Sequence, residues 1–245
     1  MSRPDGRKSN ALRPVRIERG VLREVPGSVI FRAGRTHVLC TACVEEGVPD
    51  WRAGRGLGWL TAEYDMLPAS TGRRRPRNRA GNLDGRTQEI QRLIGRSLRG
   101  VVDFARLGER TVWIDCDVVQ ADGGTRTAAV TGAYVALCDA LDSVRAAGGI
   151  AADPMRGQVA AVSVGRVGDR SLLDLCYDED AKADVDFNVV MTDAGRFVEV
   201  QGTAEGAAFG RREMDAMLRL AERGIRELMA IQRRALGRRG RGGRG

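Results

Sequence analysis

The feature that most constrains this chain is a change of period at residues 112 to 128. Val112, Ile114, Cys116 and Val118 alternate with Trp113, Asp115, Asp117 and Val119, the repeat of a strand with one largely polar face, and residues 125 to 147 switch to helical spacing. Gln120-Ala121-Asp122-Gly123-Gly124-Thr125-Arg126-Thr127 carries the switch. Its two glycines permit a tight turn and let an anion approach the backbone. The first helical turn then offers unpaired N–H groups, the Thr125 hydroxyl and the Arg126 guanidinium. The stretch reads either as a phosphate seat or as an ordinary strand-to-helix turn, which Gly-Gly would also serve.

With 245 residues, 42% of them hydrophobic, there is apolar material for one large domain or two small fused ones. No apolar run of about 18 residues is present and the first 16 residues are polar and basic, so no membrane span or secretory signal is expected. Five cysteines, an odd number, fit a reducing compartment, and the cytoplasm is the expected location. A net charge of +8 suits a polyanionic partner such as nucleic acid. Only Lys8 and Lys182 are lysines, so no Gly-x4-Gly-Lys-Ser/Thr phosphate loop can be written anywhere.

In chain order, residues 1 to 14 read as an irregular arm and Val15 to Val25 as a first strand. A hairpin follows, Ser28 to Phe31 and His37 to Val44 about a turn at residues 32 to 35. Cys40 and Cys43 fall on opposite faces of that strand, which disfavours a joint metal or redox role. His37, the only histidine, reads as a strand side chain. The glycine-rich residues 45 to 58 read as a loop into a strand at Trp59 to Tyr64. Arg73, Arg74, Arg75, Arg77 and Arg79 crowd a loop next to Pro76 and Gly72, which reads as a solvated surface or as a footprint for RNA backbone.

Arg86 to Phe104 has helical spacing, with Arg86 at the entrance, where a cation is unfavourable unless an anion is held there. The helix from Thr125 to Ala147 is rich in small residues and should pack closely, ending at Gly148-Gly149. Strand pairs are expected at 159 to 167 with 171 to 176, and at 187 to 191 with 196 to 200. Between them, Asp178, Glu179, Asp180, Asp184 and Asp186 put five carboxylates into nine positions. Oxygen ligands so close repel one another unless solvated or bridged by a cation, so this is either a solvated acidic turn or a site for Mg²⁺. A last helix, Arg211 to Leu236, should pack on a sheet, and residues 237 to 245 read as a disordered Arg/Gly tail. Val29 to Gly47 also faintly echoes Val189 to Gly206, as two related halves would.

Several stretches together resemble the ribonuclease PH family of phosphate-dependent 3′-to-5′ exoribonucleases. They are Arg3-Pro4-Asp5-Gly6-Arg7, Val44-Glu45-Glu46-Gly47-Val48-Pro49, residues 85 to 99 (GRTQEIQRLIGRSLR), Gln120 to Thr127, Asn188-Val189-Val190-Met191-Thr192 and Gln201-Gly202-Thr203-Ala204-Glu205-Gly206. The resemblance implies an α+β ribonuclease PH fold of two βαβα-type halves, with mixed sheets and packed helices, in a single domain over residues 1 to 236. It implies phosphate binding by Arg86, Gly123, Gly124, Thr125 and Arg126, with Asp180 and Asp186 serving Mg²⁺ and catalysis alongside Arg86 and Arg126. Inorganic phosphate would be the co-substrate and the 3′ ends of tRNA precursors the substrate, in a homo-hexameric trimer of dimers. A catalytically silent RNA-binding ring subunit of an exosome-like assembly is the competing expectation. The arginine-rich loop departs from the family pattern, since residues 71 to 79 lack the acidic residue usual there.

Overall fold

The computed structural model describes residues 3–77, 84–205 and 208–237. Two sheets flank one central helix. The first contains β1 (Val15–Arg19), β2 (Gly27–Ala33), β3 (Thr36–Glu46), β4 (Trp59–Met66) and β5 (Arg110–Gln120) in the order β1-β2-β3-β5-β4. Its strands pair antiparallel except β4 with β5, which run parallel. That parallel pair needs a crossover, supplied by α1 (Gly85–Arg99) and the short α2 (Phe104–Leu107).

The second sheet, β7-β6-β8-β9, is antiparallel throughout and comprises β6 (Val159–Val167), β7 (Arg170–Leu173), β8 (Val185–Thr192) and β9 (Phe197–Ala204). A single-turn helix, α4 (Tyr177–Asp180), links β7 to β8, and α5 (Arg211–Ala235) lies against β6 and β7.

The central helix, α3 (Thr125–Ala146), packs on β2 and β3 on one side and on β6 on the other. It can do so because its small residues let strands approach from both directions. A Cβ on Gly132 would lie 2.8 Å from both Cys40 Sγ and Phe31 Cβ. Ala129, Ala133 and Ala136 are fully buried beside it, and one continuous apolar core runs through both sheets. Among the described residues no helix is long and apolar enough to cross a membrane.

Several elements end earlier than period alone predicts. The first strand stops at Arg19 because Gly20 turns to φ +64°. The strand after Gly168 stops at Leu173, where Asp174 adopts φ +57°, the only positive φ among the described non-glycine residues. The helix predicted to reach Phe104 closes at Arg99, capped by Gly100, and Val102 instead bridges to Met155. Cys40 is buried and Cys43 half-exposed, on opposite faces, and none of the five cysteines is joined in a disulfide. His37 is a strand residue whose Nδ1 lies 3.0 Å from Arg32 Nη1. Of the Arg/Gly tail only Gly237 lies within the described residues.

Candidate active site

β5 ends at Gln120 and α3 begins at Thr125, so the turn between them projects from the edge of the core. Gly123 and Gly124 sit at φ +72° and +63°. A Cβ on Gly123 would lie 2.7 Å from the Leu175 carbonyl oxygen, and one on Gly124 would lie 2.8 Å from Arg13 Nη2. Both conformation and space therefore demand glycine. Thr36 Oγ1 donates to the Gly123 carbonyl at 2.7 Å and accepts from the Asp122 amide at 2.9 Å.

The buried Arg13 fixes the turn from beneath. Its Nη2 and Nε donate to the two Asp174 carboxylate oxygens at 2.7 and 3.0 Å, while Nη1 reaches the Asp122 carbonyl. This is the work of the N-terminal arm, which sequence reasoning took as merely irregular. Arg3 likewise donates twice to Glu179, at 2.7 Å each, and so anchors α4.

No side chain caps the start of α3, so its first-turn amides remain available to an anion. Tyr64 Oη donates to Thr125 Oγ1 at 2.9 Å, which lets the Thr125 proton turn elsewhere. Arg126 Nη1 donates to Gln201 Oε1 at 2.8 Å and lies 3.5 Å from Glu89 Oε2, while Gln201 Nε2 donates to Glu89 Oε1 at 3.0 Å. The guanidinium is thus held by α1 and β9 together. Arg86 is exposed in the first turn of α1, whose N-cap Asp84 accepts from the Thr87 amide at 2.7 Å.

A cavity of about 390 Å³ brings these groups together, lined by Arg86, Gly123, Gly124, Thr125 and Arg126 and by the acids Asp180 and Asp186. Asp180 closes α4 and Asp186 is the second residue of β8. Desolvation pushes Asp180 above the usual carboxylate range, against the pull of Arg126, Arg86 and Arg13. Asp186 is raised by desolvation and then by repulsion from Asp180 and Glu205, which outweigh Arg126. Two desolvated acids lining one cavity, the charge of Asp180 raising Asp186, fit a hard cation such as Mg²⁺, which takes one or two carboxylates and keeps water. Among the described residues there is no cluster of three or more His, Cys, Asp or Glu suited to a metal, so any such site has few protein ligands.

The arginine-rich loop divides. Arg73, Arg74 and Arg77 are exposed, whereas Arg75 is half-buried and lines the cavity, its Nη1 2.9 Å from Met66 Sδ. Arg79 lies outside the described residues. Sequence reasoning missed Tyr64, Arg13 and Ser163, and took Glu89, Asn188 and Gln201 only as parts of motifs. For Asn188 a signal existed, because it follows Asp186 by two on the same strand and so shares its face.

Models of the 3′ exoribonuclease family match the chain in two parts, domain 1 over residues 11–141 and domain 2 over residues 157–224. In solved structures the fold is similar to that of Rrp46 from rice (Oryza sativa), at TM-score 0.77 and 18% identity over 96% of this chain and 100% of that one. It is also similar to an Archaeoglobus fulgidus exosome with RNA bound to the active site, at TM-score 0.78 and 21% identity over 93% and 91% of the two chains. An archaeal exosome core matches at TM-score 0.77 and 20% identity over 95% and 91%. At these identities the solved structures bear on the fold, while the family models span both walls of the cavity, and the chain belongs to the RNase PH family of 3′ exoribonucleases.

Proposed function

We propose that the protein is a phosphorolytic exoribonuclease that trims RNA from its 3′ end, tRNA precursors included, and releases nucleoside diphosphates. One observation carries the reading: a single cavity sets Arg86, Thr125 and Arg126 against Asp180 and Asp186. Such a site suits a reaction in which one anion must attack another.

In this reading inorganic phosphate sits on the first turn of α3. Arg126 and Arg86 neutralise and orient it, and Thr125 donates a hydrogen bond. One phosphate oxygen attacks the phosphorus of the last phosphodiester, and the bond to the 3′-oxygen of the preceding nucleotide breaks. That oxygen takes a proton and remains as the new 3′-hydroxyl. Asp180, the carboxyl that desolvation pushes above the usual range, would give that proton from its protonated form. Mg²⁺ held by Asp186, and by Asp180 in its ionised form, would supply charge stabilisation at the transferred phosphoryl group. A phosphate ester is exchanged for a phosphoanhydride, so the reaction is reversible.

We further infer that the chain works as a homo-hexameric ring of three dimers in the cytoplasm, and that Arg73, Arg74, Arg77 and Arg79 grip RNA backbone. Likeness to exosome cores supports a ring and also favours a second reading, a silent RNA-binding ring subunit. Retention of Arg86, Arg126, Asp180 and Asp186 weighs against silence.

The deciding experiment incubates purified protein with a 3′-extended tRNA and Mg²⁺, with and without phosphate, and resolves the released nucleotides. Nucleoside diphosphates formed only with phosphate support the proposal. RNA bound but untouched in both arms favours the silent subunit, and monophosphates without phosphate would mean hydrolysis.

A further inference from the structure

Tyr177, the first residue of α4, is 64% exposed, yet it lines the same cavity as Arg86, Thr125 and Asp180. What sets this ring apart from the other exposed aromatics, such as Trp51 and Phe197, is that it lines the charged cavity, where a ligand can cover it. The backbone under the ring is held firmly. The Tyr177 amide donates to Asp122 Oδ1 at 3.3 Å, and two residues further on Glu179 is gripped by Arg3. Asp122 also accepts from Arg35 Nε and Nη2 at 3.1 and 3.2 Å. The exposed Arg35 thereby pairs with Asp122 and tempers the charge of the nearby Asp178, which lessens the rim's repulsion of a polyanion.

The cavity, at about 390 Å³, falls in the range of roughly 300–1,000 Å³ typical of small-molecule pockets. It offers more room than a phosphate ion takes, and a ligand of nucleotide size would bring a base to the rim.

We propose that Tyr177 is a stacking platform for one nucleobase within the last three nucleotides of the RNA, an inference that rests on the cavity being an RNA 3′-end site. Every base has a π-face, so a stacking contact grips the strand without choosing its sequence. That suits an enzyme that must accept whichever nucleotide comes next. The site supplies aromatic surface here and charge at the phosphate seat, two separate means of holding one strand end.

The test measures binding by anisotropy of a short, unstructured, 5′-labelled oligoribonucleotide without phosphate, so that the strand stays intact. Abasic residues replace each of the last three nucleotides in turn. Tyr177→Ala is expected to weaken the intact strand about 10-fold, within the range for one stacked base, and Tyr177→Phe to bind as the wild type does. At one position the abasic strand should bind the wild type about as weakly, with no further loss in Tyr177→Ala. Wild-type binding by Tyr177→Ala, or equal abasic losses in both proteins at all three positions, overturns the proposal and leaves phosphorolysis untouched. If the coupling is found but no RNA is phosphorolysed, the platform stands and the enzymatic reading fails. A wild-type protein that binds no RNA removes both.

Discussion

Arg126 at the start of α3 and Gln201 on β9 meet through a hydrogen bond of 2.8 Å, which joins the glycine turn and helix start to the opposite half of the molecule. Glu89 on α1 completes the arrangement by accepting from Gln201 at 3.0 Å. The guanidinium therefore faces the cavity in an orientation imposed from two directions.

Removing the cation and removing its support should differ in degree. Arg126→Ala is expected to cut phosphorolysis by about 100-fold or more, the scale for loss of an oriented charge donor. Gln201→Ala leaves the charge but frees its orientation, so a loss of roughly 10-fold, appearing mainly as a higher KM for phosphate, is expected. Steady-state kinetics across a phosphate series separates the two, and equal losses would sink the positioning role.

Tyr64→Phe removes only the hydroxyl that donates to Thr125 Oγ1 and keeps the buried ring. Thr125 is then free to rotate. A several-fold rise in KM for phosphate with little change in kcat is expected, and an unchanged KM would mean that the hydroxyl does not organise the seat.

Asp186 gives a prediction in which activity and stability move oppositely. Its folded-state pKa is raised, so it favours the fold below the unfolded value of about 3.9 and loses that advantage as pH rises through the folded value. At neutral pH the carboxylate strains the folded state. Asp186→Asn should therefore raise Tm slightly in Mg²⁺-free buffer while Mg²⁺-dependent turnover collapses. A scanning calorimetry run paired with an activity assay checks both halves, and a lowered Tm contradicts the sign.

Glu179 behaves in the reverse sense. Burial alone would push its carboxyl up, but the two hydrogen bonds from Arg3 prevail and hold it below the usual value. The stabilisation is present above the unfolded pKa, about 4.3, and is lost as pH falls through the folded value. Glu179→Gln should lower Tm at pH 7 by roughly 5 °C or more, given about 1.5–3 kcal/mol for hydrogen bonds to a charge. It should also flatten the acid side of the Tm profile. An acid limb as steep as that of the wild type would assign the loss to other carboxylates.

The parts of this site that could be read in advance are those that are local in sequence. The strand, the paired glycines and the helix start lie within Gln120 to Thr127, and the acids Asp180 and Asp186 announce themselves by crowding. The supporting contacts are not local. Tyr64 reaches Thr125 across 61 residues, Gln201 reaches Arg126 across 75, and Arg13 reaches Asp122 across 109. Periodicity places each on an element but cannot say which elements meet. Likewise the backbone reversal at Asp174 leaves no composition signal, because its cause is the pairing of that carboxylate with Arg13.

The N-terminal arm also imposes an order on synthesis. Arg3 and Arg13 are made well before their partners Glu179 and Asp174, which follow 176 and 161 residues later. A nascent chain on the ribosome can assemble the first sheet and α3 well before that point. It cannot brace the glycine turn from beneath until Asp174 has emerged. Chains that have not yet reached Asp174 consequently lack the ion pair that braces the glycine turn from beneath.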